Sequence, residues 1–211
     1  MKKLSLFVLL FTLVSIPLVA QSSKDPFSTS ELTWFGLDFS QAKLVGSFSQ
    51  YGEAGAKNGE QIKNQYFGAW NNLIINEPEK FNLKEAFNKS TLINDLSTVE
   101  KRNAAVNSDD LFTSNQPDPG RISPETIAKI VKDYKSDKSG VGLLFIVDTF
   151  SKPAEEGVIH VTFFDIASRK VLLTQKMSGE PRGFGIRNYW AGAILKVIQK
   201  SKKEYKNWAK L

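Results

Sequence analysis

The sequence predicts a mixed α/β domain in which helices flank a central sheet of about five strands and a long C-terminal helix packs on the sheet. An almost continuous apolar run over residues 141–150 is typical of a central strand covered on both faces. Strand-like runs over 158–166 and 171–177 are joined by a tight connection, which predicts a hairpin. Apolar residues at helical spacing over 186–209 predict a terminal helix with one face for the sheet.

The elements of the first half follow from shorter patterns. Residues 32–46 predict a strand that bends at Gly36, because a glycine inside a strand pattern marks a bend or bulge. A glycine-rich loop follows over 46–59. Near-helical apolar spacing over 60–75 predicts a helix, and Pro78 lies just beyond its end.

The middle of the chain is less regular. A short helix is predicted over 82–88, and either 92–99 or 105–112 supplies a strand. Residues 115–120 (NQPDPG) are rich in turn-forming types and predict a linker, either between two halves of one domain or between two domains.

A clear helix start comes after this linker. Ser123 can cap the helix and Pro124 suits its first position. The apolar stripe of this helix consists of Ile127, Ile130, Val131 and Tyr134.

The N-terminal residues carry a pattern that predicts where the protein is located. Residues 1–20 have a short cationic start, an apolar run and a small final residue, Ala20, as in a secretory signal peptide. Cleavage after Ser22 and retention as an uncleaved anchor are the alternatives. We therefore expect an exported protein, periplasmic or secreted, with a disordered leader over 21–31 and a single domain over 32–211.

Composition excludes several chemistries. The chain has no cysteine and one histidine, which rules out disulfides, thiolate metal sites, a cysteine nucleophile and a histidine-rich metal site. No cofactor is predicted. The net charge of +6 includes two lysines of the predicted signal peptide and is consistent with an anionic partner such as a lipid headgroup. An exported protein is not expected to bind nucleic acid.

Four ionisable side chains are candidates for catalysis. Asp38, Asp148 and Asp165 lie at or near predicted strand ends, and paired carboxylates can hydrolyse glycans without histidine or cysteine. Asp148 is the best single candidate. His160 shows no orienting partner in the sequence, and a general base needs one, so we expect a structural histidine.

The passage from the last strand to the terminal helix is the strongest candidate for binding. Residues 179–187 (GEPRGFGIR) place two arginines and a phenylalanine among glycines, next to a helix start whose free N–H groups can bind an anion. The alternative is an ordinary glycine-rich turn with solvated arginines. The predicted contact residues are Glu180, Arg182, Phe184, Arg187 and Trp190.

The terminal helix also carries an excess of lysine. Its lysines either form a solvated face behind an apolar stripe that packs on the sheet, or lie against an anionic membrane. We predict packing on the sheet. The lysines concerned are Lys196, Lys200, Lys202, Lys203, Lys206 and Lys210.

The last part of the chain has a family resemblance. Asp165, the turn at 167–170, and Val171 with Leu172 resemble the strand hairpin that precedes a long terminal helix in small bacterial envelope domains of the curli-secretion and TolB amino-terminal type. The resemblance covers roughly the last 90 residues. It implies an assembly or interaction role in the envelope and not catalysis. The front half resembles secreted bacterial proteins.

These observations favour a non-catalytic binding or interaction protein of the bacterial cell envelope, whose partner is an envelope protein or a small ligand. Two alternatives stay open. One is an aspartate-dependent hydrolase acting on envelope glycans. The other is a peripheral membrane-surface factor that uses the basic C-terminal helix.

Overall fold

The computed structural model describes residues 25–48 and 58–211. The predicted signal peptide and most of the predicted loop over 46–59 lie outside the described residues. The strands are β1 (Glu31–Asp38), β2 (Lys43–Val45), β3 (Thr91–Asn94), β4 (Phe112–Thr113), β5 (Val141–Ser151), β6 (Glu156–Asp165) and β7 (Lys170–Gly179).

Helices connect these strands and cover the sheet. The second and third helices are joined without a break by a π-helical stretch, Lys63–Phe67, and a 3₁₀ turn, Ser108–Asp110, precedes β4. The helices are α1 (Asp25–Ser28), α2 (Gly59–Ile62), α3 (Gly68–Asn76), α4 (Leu83–Ala86), α5 (Ser97–Ala104), α6 (Pro124–Lys132) and α7 (Gly185–Trp208).

Strand β5 is the centre of the sheet. On one edge it pairs in parallel with β1 and then with β2, and on the other edge it pairs antiparallel with β6, which pairs with β7. Strand β3 lies beside β1 and β4 lies beside β2, both in parallel. The predicted mixed α/β class is confirmed. The sheet is five strands wide. Two of these five places are each filled by two short strands in succession, β1 with β2 and β3 with β4, so the sheet has seven strands in all.

The interruption between β1 and β2 shapes the molecule. Asp38 pairs with Ile146 and Lys43 with Thr149, so the chain leaves the sheet at the end of β1 and rejoins it at β2. The predicted bend at Gly36 is confirmed, since this residue has a φ of +100° at a register shift between β1 and β5.

Apolar clusters form on both faces of the sheet. The larger cluster lies under α7 and includes the buried residues Trp190, Ile194 and Val197. The smaller one lies under α6 and includes Ile130 and Val131. Every residue of β5 is buried, which confirms the prediction of a central strand covered on both faces. The predicted packing of the terminal helix on the sheet is also confirmed.

The middle of the chain differs from its predicted strands. Of residues 92–99, only the start belongs to a strand, and α5 begins at Ser97. Of 105–112, only the last residue enters a strand. Helix α5 is polar on most of its surface, and its buried Val99 and Asn103 bind it to the sheet. Hydrophobic periodicity therefore carried no signal for it.

The predicted leader over 21–31 is ordered in its second half. Helix α1 packs against the end of α7, where the ring of Phe27 lies 4.9 Å from that of Tyr205. The carbonyl oxygen of Pro26 accepts hydrogen bonds from Tyr205 Oη and from Nζ of the buried Lys89. Lys89 also donates to the carbonyl of Thr29 at 2.6 Å. These contacts fix the chain before β1 begins.

Burial lowers the pKa of Lys89 from its ordinary 10.5 to about 8. Between pH 8 and pH 10.5 the Lys89 amine is protonated in the unfolded chain and neutral in the folded chain. The free energy of unfolding should therefore rise by up to about 3 kcal/mol as pH increases from 8 to 10.5. Denaturant titrations at several pH values measure this rise. Lys89→Met should remove it, whereas Lys84→Met on the exposed side of α4 should keep it; equal pH profiles for both variants would contradict the assignment.

Candidate functional site

Two buried carboxylates lie on one face of the sheet, near the carboxyl ends of β1 and β5. Asp38 is the last residue of β1 and pairs with Ile146, and Asp148 follows two positions later on β5. The contacts of both carboxylates are with residues on the α6 face, Tyr134 and His160 respectively. Ligands of open parallel sheets commonly bind beyond the carboxyl ends of the strands. Two of the three predicted aspartates are thus neighbours.

The third predicted aspartate lies elsewhere. Asp165 pairs with Val141 at the opposite end of β5. Its carboxylate accepts hydrogen bonds from the backbone N–H of Ser168, at 2.7 Å, and from the Ser168 hydroxyl. It caps the turn between β6 and β7 and does not belong to the carboxylate pair.

Asp38 is held by donors on every side. Its Oδ2 accepts from Arg102 Nε at 2.7 Å and from Tyr134 Oη at 2.6 Å, and its Oδ1 accepts from the Ser40 backbone N–H at 2.8 Å. The side chain is fully buried. Arg102 also bonds the Ser40 hydroxyl and pairs with the exposed Asp133. Burial and the neighbouring carboxylate both raise the pKa of Tyr134 well above its usual value.

Asp148 has three basic partners. Its Oδ1 lies 2.7 Å from Arg121 Nη2, and its Oδ2 lies 3.1 Å from Lys176 Nζ and 3.3 Å from His160 Nε2. Burial by itself would raise the pKa of Asp148. The hydrogen bond from His160 and the charges of Arg121 and Lys176 outweigh it and lower the pKa below its usual value. Asp148 is therefore ionised at neutral pH.

This geometry bears on two possible catalytic roles: a carboxylate pair that hydrolyses glycans, and a general base at His160. A glycosidase acid needs a carboxyl group with a raised pKa beside an ionised one, and Asp148 is shifted the other way. His160 does have an orienting partner, which the sequence alone did not reveal. Its Nε2 lies 3.3 Å from Asp148 Oδ2, and both side chains are buried. The arrangement is that of a buried ion-pair network.

A cavity of about 380 Å³ opens next to these ion pairs. One wall is the connection between β1 and β2, and the other is the end of α5 with the 3₁₀ turn. Arg102 and Arg121 both line it. Sequence reasoning missed these arginines because nothing in their local pattern separates them from ordinary surface residues. Its polar lining includes Ser40, Gln41, Lys43, Arg102, Asp110 and Arg121.

The segment predicted as a linker packs beside Asp148. The carbonyl of Pro119 accepts a hydrogen bond from Lys176 Nζ at 2.6 Å. Residues 116–119 border a second cavity, of about 310 Å³, that reaches Asp148 and Lys176. Arg121, just past this segment, donates to the backbone carbonyls of Gln41 and Asp148. The segment therefore takes part in the network.

The predicted contact turn lies at the far end of β7. Phe184 is 92% exposed, and Glu180, Arg182 and Arg187 are exposed beside it. Trp190 is different: its side chain is fully buried and its ring lies 4.6 Å from that of Phe150. The prediction that Trp190 belongs to the contact surface is wrong, because position 190 is on the side of α7 that faces the sheet.

Glycines let this turn fold back onto α7. The N–H of Arg182 donates to the carbonyl of Tyr189 at 3.1 Å. A Cβ at Gly192 would collide with the backbone of Arg182, so only glycine permits this approach. Gly183 has a φ of +124° and packs on the backbone of Asn188. The turn is thereby held against the first turns of the helix.

The side of α7 that faces away from the sheet carries a row of lysines, which we call the lysine row. The four members that belong to the helix lie within about a third of its circumference. None of the five has an ion pair among the described residues, whereas Lys202 lies outside the row and pairs with Glu85. The lysine row consists of the half-buried Lys196 and Lys200, the exposed Lys203 and Lys206, and the exposed Lys210, two residues beyond the end of the helix.

Further searches of the described residues and of known proteins gave no additional assignment. Within residues 25–48 and 58–211 no three acidic or histidine side chains are grouped to hold a metal ion. No helix of that part is both long and apolar enough to span a bilayer. Comparisons with protein-family models, with curated proteins and with solved structures found no match for this chain.

Proposed function

We propose that this chain is a non-catalytic interaction protein of the bacterial cell envelope. It binds its partner through one contact surface, made of the turn over 180–187 and the lysine row beside it. The observation that carries this proposal is the 92% exposure of Phe184. Apart from the final Leu211, no other large apolar side chain of the described residues is exposed. Aromatic and arginine side chains are the types that dominate binding energy at interfaces.

The turn presents Phe184 in a defined way. Its neighbours Gly183 and Gly185 have φ values of +124° and +74°, conformations that favour glycine. Arg182 and Arg187 lie two and three positions from Phe184 in the chain and are exposed. Neither has an ion pair among the described residues. An exposed apolar ring with two unpaired cations close to it in the chain, on a backbone held by glycines, is a suitable anchor for a partner.

The non-catalytic part of the proposal is supported by the ion-pair network. Asp38 and Asp148, the best catalytic candidates, are bound by arginines and are buried. The envelope location is supported by the predicted signal peptide over residues 1–20 and by the resemblance of the last part of the chain to envelope domains. Location and partner class remain part of the proposal.

Site-specific cross-linking tests the contact surface. A photo-reactive amino acid at position 184 should give a discrete adduct, protein or lipid, in cells that produce the full chain. The same amino acid at position 137, in an exposed turn on the α6 side, is the control and should give none. Mass spectrometry identifies the adduct. Identical adducts at both positions, or none at 184, would refute the contact surface.

One observation favours the hydrolase as a second candidate: two carboxylates lie on neighbouring strands, and one of them, Asp148, lines a cavity of about 310 Å³. Asp148→Asn separates the two functions. If Asp148 is structural, the variant should unfold more easily, by about 1–3 kcal/mol, because the partly exposed Arg121 and Lys176 lose their charged partner. Thermal unfolding measures this. Loss of glycan turnover with unchanged stability would instead support the hydrolase.

A further inference from the structure

We infer that the partner of the contact surface is an anionic lipid bilayer, with α7 lying along the headgroups and Phe184 inserted at one end. This inference rests on the proposed function and names its partner.

The turn and the lysine row lie on one face of α7. Arg182 and Gly183 pack on Asn188 and Gly192, which are one to two helical turns before Lys196 on the same side of the helix. A cavity of about 310 Å³ between turn and helix is lined by both Arg182 and Lys196, which shows that they are neighbours. The turn that carries Phe184 therefore lies on the same side of the protein as the lysines.

The charge of this face is strongly positive. Arg182 adds to the five cations of the lysine row, and Glu180 and Glu204 are the acids that the turn and helix contribute near it. None of the lysines in the row is neutralised by an acid among the described residues. Lysines near an anionic leaflet each strengthen binding severalfold, and the effects accumulate along a row.

The length of the lysine row favours an extended surface, and not a small ligand, as its partner. From Lys196 to Lys206 the helix rises about 15 Å, and Lys210 lies farther on, so a single small anion could meet only two or three of these cations. A bilayer meets all of them at once. The opposite side of α7 is buried in the core through Ile194, Val197 and Ile198, so the helix presents its cations without unfolding.

One exposed aromatic ring is characteristic of reversible binding. Phe184 alone buries little apolar area in the headgroup region, and the remaining attraction is electrostatic. Binding should therefore be weak, dependent on anionic lipid and sensitive to salt, because the Debye length shortens from about 10 Å at 0.1 M to about 3 Å at 1 M ionic strength. A protein partner with a matching acidic surface is the competing outcome.

Vesicle co-sedimentation tests the inference. The chain without residues 1–20, the form that the predicted cleavage leaves, is mixed with vesicles of phosphatidylcholine or of equal parts phosphatidylcholine and phosphatidylglycerol. Binding should occur only with the second kind and should be lost at high salt. A triple variant, Lys196→Gln, Lys200→Gln and Lys203→Gln, should bind more than tenfold more weakly. Phe184→Ala should weaken binding severalfold.

A matched triple variant controls for net charge. Lys129→Gln, Lys132→Gln and Lys135→Gln remove three exposed lysines on the α6 side of the sheet and should bind like the unmodified chain. Circular dichroism confirms that both triple variants are folded. The inference is overturned if anionic and neutral vesicles bind the chain equally, or if both triple variants lose binding to the same extent. Failure on vesicles with a protein adduct at position 184 would reject the bilayer and leave the proposed function intact.

Discussion

Replacing Asp38 by Asn is expected to lower the free energy of unfolding by about 3–5 kcal/mol, the typical cost of breaking a buried ion pair by removing one partner. The carboxylate is fully buried and is the main counter-charge of Arg102, whose side chain is 18% exposed. The variant amide also loses the ionic character of the bond from Tyr134. Denaturant unfolding at neutral pH measures the loss.

The other acidic partner of Arg102 provides the control. Asp133 is 61% exposed, so water screens its interaction with the guanidinium. Asp133→Asn should cost less than about 1 kcal/mol. Equal losses for the two variants would show that burial does not govern this network and would contradict the prediction for Asp38.

Replacing Asn71 by Leu is expected to lower the free energy of unfolding by about 3–5 kcal/mol, because each buried polar group left without a partner costs about 1–3 kcal/mol. The Asn71 side chain accepts from the Leu37 N–H at 2.7 Å and donates to the carbonyls of Leu37 and Phe67, both at 3.1 Å. Leucine keeps the volume and removes all three bonds. Asn72→Leu, one residue along and exposed, should change stability by less than about 0.5 kcal/mol.

A second asparagine completes the same arrangement. Asn103 donates to the Leu37 carbonyl at 2.9 Å and accepts from the Phe39 N–H at 2.8 Å. Both asparagines bond the Leu37 carbonyl, so each single variant leaves this carbonyl one donor and only the double variant leaves it unpaired. The double variant with Asn103→Leu should therefore lose more stability than the sum of the single variants. Additive losses would show that the two side chains act independently.

Local pattern was enough to predict most of the second half of the molecule. The apolar run of β5, the hairpin of β6 and β7, and the sheet-facing residues of α7 are each visible within a few turns or strand repeats. The break between β1 and β2 is different. It is stabilised by the side-chain amides of Asn71 and Asn103, which lie far from it in the sequence. No local pattern predicts that these side chains will take the hydrogen bonds that a neighbouring strand would otherwise make.

The candidate site also has parts that local sequence predicts and parts that it does not. The exposed turn around Phe184 was predictable because its glycines, arginines and aromatic ring are contiguous. The neighbourhood of Asp38 and Asp148 depends on the parallel register of β1 and β5, and the partner of His160 depends on the register of β5 and β6. The burial of Trp190 follows from the rotational setting of α7, because position 190 belongs to the apolar stripe of the helix that faces the sheet.

The docking of α1 against α7 has a consequence for protein engineering. The Pro26 carbonyl lies within hydrogen-bonding distance of Tyr205 Oη, so residue 26 and the last turns of α7 are neighbours in space. A short flexible linker from Leu211 back to Asp25 would then close the backbone into a ring with little reorganisation. New termini opened at the exposed turn between β5 and β6 would yield a circular permutant with every strand of the sheet intact.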